Sequence, residues 1–222
     1  MKKGYDYDKL LRLSCDLEQR HLNLIDTKKI LDKLGIRFWL YEGALLGIYR
    51  DGDFIPWDWD LDFLVFTEEI LISGILQKIK KSFKLEGFKV SIKKHKGEDN
   101  YPRLKIGIIR NGDKLSINGY NLDKKNNVRT RIPYRFPCKL FEGGGHIEFK
   151  GIKYPCPSPI EDYLELSYGD WKTPIKSGNP DEYRRGRGKH SKDVEDKYKR
   201  KIDDGEYDNI NLKTLHSYKK EI

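Results

Sequence analysis

Leucines at positions 10, 17, 24 and 31 recur every seven residues, with Leu13 and Leu34 filling the neighbouring seam. That spacing predicts a helix from about Tyr7 to Leu34 with one apolar stripe, stopped by Gly35 at the position of a left-handed cap. Arg20 and Thr27 interrupt the stripe. The helix is therefore expected to pack on its own domain, not to form a coiled-coil seam.

The period then shortens. Ile36 to Tyr41 reads as a strand, Ala44 to Tyr49 as a helical turn opened by Glu42-Gly43, and Trp59 to Phe66 as a second strand after Pro56. Thr67 is an expected N-cap for a helix from Glu68 to Phe83, closed by Gly87. Phe88 to Lys94 reads as a strand. Leu104 to Arg110 and Lys114 to Asn118 flank Asn111-Gly112, a strong hairpin signal. His146 to Phe149 and Ile152 to Tyr154 form a second hairpin around Lys150-Gly151. Ser158-Pro159 is expected to cap a helix that ends at Tyr168-Gly169. The order of elements predicts an α+β domain: a small mixed sheet flanked by helices, over residues 1–176. Apolar residues thin out from Ser177, and Arg184, Arg185, Arg187, Lys189 and Lys192 crowd a basic C-terminal extension, 177–222.

Composition narrows the function classes. No stretch approaches the roughly 18 unbroken apolar residues of a membrane span, and no apolar run follows the N-terminal lysines as a secretory signal requires. Three cysteines without a Cys-x-x-Cys spacing predict neither a disulfide framework nor a zinc site. A soluble chain in a reducing, cytoplasmic compartment is expected. The formal charge of +9 favours anionic partners, and the basic extension is a candidate contact for an anionic membrane face.

One segment concentrates chemistry. Asp58, Asp60 and Asp62 alternate with Trp59 and Leu61 and run into an apolar strand. On a strand, residues two apart share a face, so Asp60 and Asp62 project together and Asp58 joins them if the strand begins early. Clustered carboxylates repel unless basic side chains or cations neutralise them. Oxygen-only ligands favour Mg²⁺ or Mn²⁺, the ions of in-line phosphoryl and nucleotidyl transfer. Upstream, the Gly43 turn offers backbone N–H groups at a helix start, and Arg50 offers a bidentate phosphate contact. Trp57 and Trp59 are placed to stack on a base or wall the site.

These residues resemble a known family. Glu42-Gly43-Ala44-Leu45-Leu46-Gly47-x-x-Arg50 followed by Phe54-Ile55-Pro56-Trp57-Asp58-x-Asp60-Leu61-Asp62 is similar to the signature of the LicD/fukutin family. Tyr163-Leu164-Glu165 and Tyr168-Gly169-Asp170-Trp171-Lys172-Thr173-Pro174 resemble its C-terminal element. The resemblance implies a nucleotidyltransferase-like fold and a transferase that moves a phosphorylated alcohol (phosphocholine, ribitol phosphate or glycerol phosphate) from a CDP-activated donor to a glycan or glycolipid hydroxyl, releasing CMP. It implies that Asp60 and Asp62 are the metal-binding and catalytic pair, with Asp58 preceding them. Gly43, Ala44, Arg50 and Trp57 would serve the nucleotide and its phosphates. Two departures stand out: Ala44 replaces the family's usual hydroxyl residue, and Leu115-Ser116-Ile117 offers serine where a further aspartate is common. Glu148 is the candidate third carboxylate. Two other readings are transfer of NMP from an NTP to a small molecule or RNA, and a basic nucleic-acid-binding module without catalysis. Three grouped aspartates disfavour the last, and no nucleic-acid partner is expected.

Overall fold

A computed structural model describes residues 16–97, 101–131, 134–177 and 180–184. Helix α1 (Leu17–Lys33) starts where the Asp16 carboxylate accepts the backbone N–H groups of Glu18 and Gln19, both at 3.0 Å. It stops before Gly35, which is left-handed as expected. Leu10 and Leu13 lie outside the described residues. Leu24 and Leu31 are fully buried, but so are Arg20 and Thr27. The two residues that break the leucine pattern belong to its buried face, because Arg20 meets a carboxylate there.

Strand β1 (Phe38–Leu40) leads into helix α2 (Glu42–Asp51), then strand β2 (Asp60–Phe66). The single helix expected over Glu68 to Phe83 is two: α3 (Thr67–Ile70) and α4 (Ile75–Leu85). Gly74, left-handed at φ +83°, separates them, and Thr67 is the first helical residue with no capping bond from its side chain. Strands β3 (Lys89–Lys96), β4 (Pro102–Arg110) and β5 (Asp113–Asp123) follow. Asn111 and Gly112 both take positive φ between paired Arg110 and Asp113, the geometry that a two-residue hairpin demands. Short β6 (Val128–Arg131) and β7 (Tyr134–Pro137) extend the sheet, and β8 (His146–Phe149) with β9 (Ile152–Pro155) forms the second hairpin. Helix α5 (Ile160–Tyr168) begins after Pro159, which takes the capping position expected of Ser158. A short helix, α6 (Pro180–Tyr183), belongs to the segment assigned to the basic extension. Arg185, Arg187, Lys189 and Lys192 lie outside the described residues.

The main sheet runs β1-β2-β5-β4-β3, with β6 paired to β5 and β7 to β6. Only β2 and β5 pair in parallel. One face carries Phe38, Leu61, Phe63, Leu115, Ile117, Ile106 and Ile108 into a core shared with α1 and α4. On the other face, Trp39, Leu64, Phe66 and Tyr120 pack with Phe136, Phe141 and the α5 residues Tyr163, Leu164 and Tyr168. That second core covers only one end of its face. The other end bears Asp60 and Asp62. Cys138 and Cys156 are buried free thiols. Among the described residues, no helix is long and apolar enough to cross a membrane.

Candidate active site

Asp60 and Asp62 stand two residues apart on β2, where the alternation of the strand sends Leu61 and Phe63 into the first core and both carboxylates to the opposite face. In the parallel register, Asp60 lies beside Lys114 and Asp62 beside Ser116. Asp62 accepts a hydrogen bond from the Asn118 side-chain amide at 2.8 Å. Asp60 accepts one from Ser116 Oγ at 3.4 Å and has Lys114 Nζ at 3.5 Å. The serine that replaces a further aspartate therefore sits against the carboxylate pair.

Asp58 joins them from the turn before β2. Its backbone carbonyl accepts Arg20 Nη1 at 2.8 Å. Its side chain lies so close to α2 that a Cβ on Gly43 would come within 1.9 Å of Asp58 Oδ2. Only a residue without a side chain admits the carboxylate at that helix start. Burial, reinforced by the charge of Asp60, pushes the Asp58 carboxyl up to about 7, against the pull of Arg20 and Arg184. Asp62 is raised well above the ordinary range by burial first, then by Asp60 and Glu42, with Lys105 and Arg184 opposing.

The three aspartates line a cleft with Gly43, Arg50, Trp57, Trp59 and, from the C-terminal part, Tyr168, Trp171, Tyr183 and Arg184. The Arg50 guanidinium chelates the Asp51 carboxylate at 2.8 and 2.7 Å and donates to the Trp171 carbonyl at 3.3 Å. It thereby fastens α2 to the segment that walls the cleft. Trp57 and Trp59 both face the cleft. Two expected site residues do not. The Ala44 methyl is buried in the first core. Glu148 is exposed on the β8–β9 hairpin, opposite Lys153, outside the cleft lining. Alternation along β8 was a true signal, but nothing local could say which way the hairpin faces.

Two residues outside the expected site set stand at or beside the cleft. Glu42 is 3% exposed; its carboxylate accepts the Tyr168 hydroxyl at 3.3 Å and pairs with Arg184, while its backbone N–H donates to Tyr163 Oη at 3.1 Å. Arg184 comes from the segment read as a basic tail, yet it lines the cleft. A glutamate at a positive φ of 58° was the available hint only once the backbone was known. Among the described residues, no three His, Cys, Asp or Glu side chains form a ready-made metal site. The donor set is nonetheless suited to a hard cation: carboxylate oxygens only, with Asp58 and Asp62 raised by burial and then by the charge of Asp60. Magnesium commonly takes one or two carboxylates and leaves its remaining positions to water and phosphate oxygens.

Acidic groups ranged along one strand of a mixed sheet, opposite a glycine-opened helix, define a domain of the nucleotidyltransferase type. The chain belongs to the LicD/FKTN/FKRP family: the pattern described as "LicD/FKTN/FKRP, nucleotidyltransferase domain" matches residues 35–159, more than half of it. Ribitol-5-phosphate transferase FKTN of Mus musculus is 31% identical over 158 residues, covering 67% of this chain and 32% of that protein. Ribitol 5-phosphate transferase FKRP of Homo sapiens is 46% identical over 41 residues, or 18% of this chain and 8% of its own. The chain thus spans about a third of the length of the fukutin it resembles. Among solved structures, the antibiotic-resistance factor ANT(2'')-Ia overlaps 64% of this chain and 66% of its own at a TM-score of 0.40 and 11% identity.

Proposed function

We propose that this chain is a metal-dependent transferase that moves a phosphorylated alcohol from a CDP-activated donor to a glycan hydroxyl and releases CMP. The observation that carries this reading is the convergence of Asp58, Asp60 and Asp62 at one cleft that the Gly43 helix start and Trp57 and Trp59 also line. Membership of the family supports it, as does likeness to a protein named as a ribitol-5-phosphate transferase.

Asp60 and Asp62 would hold Mg²⁺ or Mn²⁺, with Asp58 as the further carboxylate, and the cation would supply positive charge against the diphosphate. Trp57 or Trp59 stacks on the cytosine ring, and the Gly43 N–H in the first turn of α2 receives phosphate oxygen. Arg50, already engaged by Asp51 and Trp171, acts chiefly by holding the cleft wall in place. Asp60 or Asp62 takes the proton from the acceptor hydroxyl as its oxygen attacks the distal phosphorus.

CMP release from CDP-ribitol, CDP-glycerol and CDP-choline, measured with an acceptor glycan and Mg²⁺, tests the reading. Asp62→Asn is expected to lower turnover by about a hundredfold or more while the circular dichroism spectrum is retained. Undiminished CMP release by Asp62→Asn would exclude the mechanism. Pyrophosphate release from an NTP in place of CMP release would instead assign nucleotidyl transfer.

A further inference from the structure

Between Ile70 and Gly97 the chain carries eight lysines and a single acid, Glu86. Helix α4 holds four of them: Lys78, Lys80, Lys81 and Lys84. Its inner residues Ile79 and Phe83 are fully buried in the first core, with Ile75 and Leu76 packed against it. All four lysines are exposed on the outer face. Lys94 and Lys96 of β3 join them from the same side of the sheet. Strand alternation puts both on the face of Val90 and Ile92, which pack against that core, and both are exposed. Asp60 and Asp62 project from the other side.

Charge alone would make this a solvated helix face. It does not account for the aliphatic side chains set among the lysines. Leu85 is 75% exposed and Ile72 60%, the two highest values among the large hydrophobic side chains of the described residues. Leu85 follows Lys81 by four residues and Lys78 by seven, so it belongs to the lysine face and not to the core face. With Gln77, Lys80, Lys81 and Lys84 it lines a shallow depression. Ile72 stands at the other end of the helix, in the turn between α3 and α4. Exposed aliphatics scattered singly are ordinary, but these two bracket a helix whose outer face is otherwise lysine and glutamine. Four acids of the adjoining α1 and α3 are held by cations of their own: Asp26 by Arg110, Asp32 by Lys28, Glu68 by Arg129 and Glu69 by Arg37. The α4 lysines therefore keep their charge for a partner.

We propose that the outer face of α4, with Ile72 and Leu85 at its ends and Lys94 and Lys96 beside it, docks on an anionic phospholipid membrane. Lysines clustered on an amphipathic helix bind acidic headgroups. The aliphatic side chains at the two ends enter the boundary between headgroups and acyl chains. Lysine stems lie along apolar surface while their ammonium groups reach the phosphates. A nucleic acid would engage the lysines and leave Ile72 and Leu85 in water, whereas a lipid surface takes both. The face is distinct from the C-terminal extension, and nothing in it depends on the chemistry of the cleft.

Cosedimentation of the full chain with two kinds of vesicle tests this: phosphatidylcholine alone, and phosphatidylcholine with about 30 mol% phosphatidylserine. The mixed vesicles are expected to bind the protein and the neutral ones to leave it in solution. Lys80→Glu/Lys81→Glu should weaken binding by about tenfold or more. Ile72→Ser/Leu85→Ser leaves the charge unchanged and should weaken it by about fivefold. Lys150→Glu/Lys153→Glu changes charge equally on the β8–β9 hairpin, beside β1 at the opposite edge of the sheet, and should bind within about twofold of the unaltered protein. The proposal is overturned if mixed vesicles bind no better than neutral ones, if the two charge reversals cause equal losses, or if Ile72→Ser/Leu85→Ser binds undiminished. Loss confined to Arg185→Glu/Arg187→Glu would place the contact on the C-terminal extension and overturn it too. Release of a short single-stranded RNA, and not of the vesicles, by Lys80→Glu/Lys81→Glu would assign the face to nucleic acid instead.

Discussion

Gly43 and Asp58 occupy one another's space. The carboxylate of Asp58 fills the position that any other residue at 43 would give to its Cβ, 1.9 Å from Oδ2. The carboxylate is the far end of a short side chain, so it can swing aside without disturbing the core. Gly43→Ala is therefore expected to leave the fold intact and to displace Asp58 by an ångström or more. Displacements of that size at a reacting centre can cost on the order of a hundredfold in rate. CMP release measured beside the circular dichroism spectrum checks this: a folded Gly43→Ala protein with unaltered turnover would remove Asp58 from the machinery. A glycine at this position reads in the sequence as a turn that offers N–H groups to phosphate, and the room it leaves for Asp58 depends on a residue fifteen positions away.

Element by element, the local signals held where they were complete in a few residues. Asn111-Gly112 and Lys150-Gly151 specify their hairpins because two adjacent positive φ values suffice. The paired projection of Asp60 and Asp62 follows from strand geometry alone. What needed long-range contact was illegible. Strands β6 and β7, four residues each, carry no period long enough to register. Arg20 looked like a defect in the α1 stripe, yet its guanidinium donates to Asp113 Oδ1 twice at 3.0 Å and to the Asp58 carbonyl at 2.8 Å. Asn23 completes the Asp113 carboxylate at 2.9 Å. Helix α1 thus meets both the β4–β5 hairpin and the turn that presents Asp58. Breaking a buried pair from one side leaves an uncompensated charge, at about 3–5 kcal/mol. Arg20→Ala should show a loss of that size in urea unfolding. Arg20→Met combined with Asp113→Asn should recover a large part of it, because a cap of apolar stem and neutral amide strands no charge. Equal losses in the single and double variants would mean that the guanidinium's other bond, to the Asp58 carbonyl, and not the ion pair, secures the helix.

Across the whole molecule, the carboxylates are balanced by cations from separated parts of the chain. Arg20 on α1 opposes the raised pKa of Asp58, Lys105 on β4 that of Asp62, and Arg184 after α6 that of both. Arg184 also serves Glu42, which lies nearly buried under Tyr168. The ring of Tyr183 stacks on Tyr168 at 6.4 Å, so the C-terminal segment reaches the cleft wall by aromatic contact as well as by charge. Glu42→Gln leaves Arg184 without its carboxylate, and Arg184→Met leaves Glu42 without its cation. Each single change is expected to cost about 3–5 kcal/mol, and the double change distinctly less than the sum, since both charges then leave together. Urea unfolding of the four proteins measures that coupling. The same set separates stability from catalysis. Arg184 lines the cleft and Glu42 stands beneath it, so Arg184→Met should also weaken donor binding, whereas in the double variant stability returns and donor binding does not. If both recovered together, Arg184 would be a clamp on the fold with no part in holding the donor.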